Sequence, residues 1–111
     1  MTPLERMGPN NEVARERARV IAKRISKSYG VTAADILGRR RFAEIVLARH
    51  ALYAELWHEG YGVAEIGRTL SRDHTTIIHG LRSAMGEAVY EAEIAKRYEG
   101  PGYTRKKAAR D

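Results

Sequence analysis

Apolar residues recur every three or four positions along most of this chain, and glycines cut the pattern into segments. Ala14, Ala18, Ile21, Ile25 and Tyr29 make one stripe, which Gly30 ends. Ile45, Ala48, Leu52 and Leu56 make a second, widened by Val46, Tyr53 and Trp57 and ended by Gly60. Val63, Ile66 and Leu70 form a short third, and Ile77, Ile78, Leu81 and Met85 a fourth. Such spacing collects apolar side chains on one face of a helix, whereas a half-buried strand needs strict alternation. Nothing alternates with period two and no segment repeats, so the chain reads as all-α, a small helical bundle.

The connections fit this reading. Between the first two stripes, Thr32 is placed to cap a short helical turn. Asp35 complements its dipole, Ile36 and Leu37 anchor it, and Gly38 closes it. Three guanidiniums follow in a loop, Arg39-Arg40-Arg41. Met85, Ala88, Val89 and Ala92 keep the apolar phase across Gly86, which predicts a helical extension to about Tyr98 with a break or bend at that glycine. Residues 1–11, with two prolines and no periodicity, read as a flexible lead-in. Residues 12–86 read as one domain, 87–100 as the extension, and 101–111 as a basic, flexible tail.

With 111 residues there is room for one domain and a modest core, but not for a motor or catalytic domain as well. Twenty Lys and Arg oppose fourteen Asp and Glu, giving a formal charge of +6 and a pI near 9.9. This balance favours a polyanionic partner, nucleic acid ahead of an anionic membrane. There are no cysteines, which excludes disulfides and thiolate metal sites. No run is long and apolar enough for a membrane span, so the expected location is the cytoplasm, on the bacterial nucleoid. No metal, cofactor or enzymatic activity is expected. His50 and His58 lack zinc-type spacing, and the adjacent Ser71, Asp73 and His74 do not make a triad.

A short helix, a tight turn at Ser71-Arg72 and a second helix with a polar start make a helix-turn-helix pattern. In that pattern the first helix braces the second, whose N-terminal side chains enter the major groove. Gly67 suits close packing of the two helices, with Ile66, Leu70, Ile77 and Leu81 as their shared interior. A helix that needed only a cap would use one polar residue; this one opens with Asp73, His74, Thr75 and Thr76. Asp can accept from cytosine, Thr can meet a thymine methyl or a phosphate, and His can donate or accept. The plain alternative makes Asp73 a cap and the rest an indifferent surface, although two threonines are poor helix formers.

Gly62-Val63-Ala64-Glu65-Ile66-Gly67, followed by Arg72-Asp73-His74-Thr75-Thr76-Ile77-Ile78-His79-Gly80, closely resembles the signature of the C-terminal DNA-binding domain of the bacterial replication initiator DnaA. The resemblance extends upstream through Tyr29-Gly30-Val31, Ala34 to Leu37 and Arg39 to Arg41 as far as Glu44 to Arg49, and covers roughly residues 12–86. It implies an all-helical domain with a Trp-repressor-like helix-turn-helix that binds short asymmetric boxes on double-stranded DNA, as a monomer. Asp73, His74 and Thr75 would then read bases, and Arg72, Thr76, Arg49 and Arg68 would hold the backbone. The loop Arg39, Arg40, Arg41 would approach the adjacent minor groove.

The family usually carries a basic residue directly before the Glu44-Ile45-Val46 run. Here that position is Ala43, preceded by Phe42, so the preferred site is expected to differ. No phosphate-binding loop of the initiator's ATPase type occurs in the chain. The expected use is therefore small-scale transcriptional regulation, bacterial or phage-type. The alternatives are a replication modulator at initiator-type boxes, or a DNA-anchored adaptor contacting a protein through residues 87–100, where Glu87, Glu91, Glu93 and Glu99 gather. Several roles stay open. Arg49 suits a buried structural position or a phosphate contact, and His79 packing or a phosphate contact. The cationic face of the first helix (Arg15, Arg17, Arg19, Lys23, Arg24, Lys27) suits plain solvation or a phosphate. Trp57, Tyr53 and Tyr61 suit core packing first and a partner surface second.

Overall fold

Helix α3, Ala43–His58, is the element around which the others are laid. It buries Ile45, Ala48, Arg49, Leu52, Tyr53, Leu56 and Trp57, residues that between them span about half of its circumference. A buried face that wide needs more than one neighbour to cover it. In this computed structural model, which describes residues 12–98, α1 (Glu12–Tyr29) covers one side and α5 (His74–Met85) another. A short α2 (Ala33–Leu37) and the eight-residue α4 (Val63–Leu70) fill the corners, and α6 (Glu87–Tyr98) packs on α5. Every described element is helical. The lead-in 1–11, residues 99–100 of the extension and the tail 101–111 lie outside the described residues.

The α1 stripe is built from small residues, with Ala14, Ala18 and Ala22 alongside Ile21 and Ile25, all buried. Alanines let the α1 backbone approach α3 closely. Arg17 to Glu59 and Arg24 to Glu55 span the same interface at its edge, but exposed pairs of this kind contribute only about 0–1 kcal/mol each. Apolar burial holds the pair together. Tyr29, placed on the stripe by spacing, is 43% exposed at the last position of the helix.

Thr32 caps α2 as expected, accepting from the Asp35 N–H at 3.0 Å. Gly30, Gly60 and Gly86 all have positive φ, of 69°, 103° and 89°. Each therefore stops a helix in a conformation that other residues rarely adopt.

The break at Gly86 turns α6 to a different phase from the one read along the sequence. Ala88, Val89 and Ala92 face outward; Tyr90 is buried, and Ile94 and Tyr98 pack on the same core. A helix that restarts after a positive-φ glycine no longer carries forward the angular phase of the one before. Trp57 is what α6 covers. Its indole N–H donates to Glu93 at 3.1 Å, the Arg97 guanidinium lies 3.3 Å over its ring centre, and Tyr98 meets it edge-on. Arg97 also donates to the carbonyls of Trp57 and Tyr61.

Candidate nucleic-acid interface

Helices α4 and α5 are joined by Ser71 to Asp73, and the joint is tight. Ser71 adopts the left-handed conformation (φ 56°), and the Arg72 N–H returns to the Gly67 carbonyl at 2.8 Å. That bond satisfies an end carbonyl of α4 and brings the turn over Gly67. A Cβ on Gly67 would stand 2.7 Å from the Arg72 carbonyl oxygen, which is why glycine is needed there. Ile66, Ile77 and Leu81 are buried between the two helices, with Leu70 half-buried, as the spacing predicts.

Asp73 caps α5. Its Oδ1 accepts from the Thr75 N–H at 2.9 Å and from the Thr75 hydroxyl at 2.7 Å. These bonds, backbone first, hold the Asp73 carboxyl below its usual pKa range. Capping does not use up the first turn. Asp73, His74, Thr75 and Thr76 are all exposed, and the His74 Nδ1 is 3.5 Å from the Asp73 carboxylate.

Beside this turn lies a cleft of about 510 Å³. Arg39 and Arg41 from the basic loop form one wall; Arg72, Asp73, Thr76 and His79 form the other. The two segments are more than thirty residues apart in the chain, and Arg72 links them by donating to the Gly38 carbonyl. The floor is the α3 face made by Val46, Arg49, His50 and Tyr53. These residues were not marked together in the sequence, yet their spacing of three, four and seven from Val46 is the signal of a single helical face. Arg40 is exposed but outside the cleft wall. Arg68 is exposed on the other side of α5, in a hollow that it shares with His74, Ile78 and Tyr98.

Arg49 is held as a structural residue would be, and it also lines the floor of the cleft. The residue is 6% exposed, and its Nε and Nη2 donate to the carbonyls of Ile36 and Asp35 at 2.8 and 2.7 Å. It thereby satisfies the end of α2 that carries the basic loop. His79 lies edge-on to His50, with ring centres 6.1 Å apart. Burial, reinforced by His79 and Arg49, pushes the His50 pKa down. Among the described residues no group of three or more His, Cys, Asp or Glu is placed to hold a metal, and no helix is long and apolar enough to cross a membrane.

Residues 18–83 match the family model described as bacterial dnaA protein helix-turn-helix. The matched stretch contains the whole basic loop, the turn and the polar start of α5. The chain is similar to the chromosomal replication initiator protein DnaA of Xanthobacter autotrophicus, 35% identical over 88 residues, covering 76% of this chain and 17% of the relative. It is also similar to that of Bartonella quintana, 30% identical over 92 residues, covering 81% of this chain and 19% of the relative. The chain thus spans under a fifth of the length of these curated relatives. No solved structure matches it. The turn over Gly67, the capped polar helix start and a family match that contains both lead to one assignment: the chain belongs to the bacterial DnaA helix-turn-helix family.

Proposed function

We propose that this chain binds double-stranded DNA sequence-specifically, with the first turn of α5 in the major groove and the Arg39–Arg41 loop at the adjacent minor groove. The observation that carries the proposal is the shared cleft, which sets two loop arginines across from Arg72, Asp73 and Thr76. A cationic loop and a polar helix start, held at fixed separation, suit a phosphate ridge between two grooves. Asp73, His74 and Thr75 face base edges. The Thr75 hydroxyl proton is engaged by Asp73, so Thr75 offers a base its methyl group or a lone pair rather than a donor. Arg72, Thr76 and Arg68 attend the backbone, while Arg49 serves the interface by holding α2 in place. The protein acts by occupancy, without catalysis.

As for use, the relatives named above are replication initiators, and this favours occupancy of initiator-type sites over the transcriptional regulation expected from the sequence. Mapping of bound sites across a genome decides between the two, origin boxes supporting the first and promoters the second. For the base-reading roles, His74→Ala and Thr75→Ala should each weaken specific binding by about 1–3 kcal/mol and leave random duplex unaffected. Equal losses on specific and random DNA would remove these residues from base recognition.

A further inference from the structure

Phe42 follows Arg41 and precedes the first residue of α3, and the fold makes no use of its side chain. It is 63% exposed, the most of any large hydrophobic among the described residues, and it is the only phenylalanine in the chain. It is not part of the buried core. It occupies the N-cap of α3, a position that favours Ser, Thr, Asp or Asn, and its side chain makes no capping bond. An aromatic ring left in water there neither caps nor gains burial.

Its backbone, by contrast, is held in place. The Val46 N–H donates to the Phe42 carbonyl at 2.9 Å, which fixes the residue to the first turn of α3. At the other end of the loop the Gly38 carbonyl is tied to Arg72 in the helix-turn-helix. The residue is thus held at a set place, next in the chain to Arg41, which lines the cleft. An apolar side chain next to guanidiniums is the chemistry of a minor-groove wedge: the cations engage the phosphate walls while the ring slides between two base pairs.

We propose that Phe42 enters the minor groove beside Arg41, partially unstacks one base step and bends the bound duplex. The proposal rests on the DNA-binding reading above and adds a component of specificity that needs no hydrogen bond to a base. Pyrimidine–purine steps unstack most readily, so a TA or CA step is favoured where the ring enters.

The test uses the full chain and a duplex that it selects from a random pool, labelled at both ends for energy transfer and carrying 2-aminopurine at each flanking step in turn. The wild type should shorten the end-to-end distance, with a bend within the 20–90° that wedges produce, and should brighten 2-aminopurine at one step. Phe42→Ser should straighten the duplex, abolish the fluorescence change and weaken binding about tenfold, the scale of one lost stacking contact. Phe42→Leu should retain most of the bend. Phe42→Leu should keep the wild-type thermal midpoint and Phe42→Ser should match or exceed it, because serine is a favoured N-cap. Equal bending by wild type and Phe42→Ser, or a straight duplex with the wild type, overturns the wedge alone. Failure of the wild type to select any duplex overturns the DNA reading and the wedge with it.

Discussion

A Cβ on Gly80 would stand 2.4 Å from a ring carbon of Tyr53 and 2.9 Å from one of His50, so this glycine sets how closely α5 lies on α3. Gly80→Ala should cost about 1–3 kcal/mol in urea unfolding, the range for overpacking a tight core. A neutral result would mean that the two helices separate freely. Arg49 carries a second prediction. Arg49→Met removes two charge-assisted bonds to carbonyls, one buried and one part-buried, and should cost about 1.5–3 kcal/mol, whereas Arg40→Met should stay within about 0.5 kcal/mol. A third concerns pH. Burial lowers the His50 pKa, so the unfolded chain takes up a proton at a higher pH than the folded one. Stability is therefore full above the ordinary histidine pKa of about 6.5 and falls as pH drops through it toward the folded value. His50→Gln should flatten stability in that window, as read by thermal midpoints between pH 5 and 8; an unchanged slope would show that His50 is not responsible. The cap at Asp73 and the need for Gly67 were legible from residue type and position alone. The partners of Arg49 were not, because they are backbone carbonyls more than a dozen residues away, and no side-chain pattern records those.

At the scale of elements, helix existence and ends were readable because three of the stripes stop at glycines that the structure holds at positive φ, Gly30, Gly60 and Gly86. The face of α6 was not readable. Its anchor residues, Tyr90, Ile94 and Tyr98, recur every four positions as clearly as Ala88 and Ala92 do, and only the turn at Gly86 selects between the two sets. This changes how the extension can be tested for a partner. Ending the chain at Gly86 would uncover Trp57 along with Tyr90's site. It should cost at least the roughly 1.5–3 kcal/mol of one large buried side chain and red-shift the tryptophan emission. Unshifted emission with full stability would mean that α6 does not cover Trp57 in solution. A cleaner test of the adaptor reading leaves the fold alone. Glu87 and Glu91 are exposed, and the ion pair of Glu87 with Arg82 lies at the surface. Glu87→Gln with Glu91→Gln should keep stability within about 0.5 kcal/mol and preserve DNA binding; if the cellular effect also survives, α6 is not a partner surface.

Across the whole molecule, the net charge of +6 is less informative than where its cations are already engaged. On α1, Arg17, Arg19 and Arg24 each face a carboxylate, from Glu59, Glu16 and Glu55, so much of that face's positive field is cancelled. The family match and the all-α architecture could be read from linear motifs, but this cancellation could not, since two of the three acids come from the last turn of α3 and its C-cap. What remains concentrated is the loop. Arg39 and Arg41 line the cleft with Arg72, and Arg40 stands outside it. Salt dependence can separate these groups, because each phosphate neutralised adds close to one unit to the slope of log K against log salt. Arg39→Ala with Arg41→Ala should lower that slope by about two units, and Arg15→Ala with Lys23→Ala on α1 should leave it unchanged. Arg40→Ala alone should fall between these, according to how far its side chain reaches from the loop to the phosphates. If the α1 pair lowers the slope as much as the loop pair does, the duplex lies across α1 and the proposed interface is on the wrong side of the molecule.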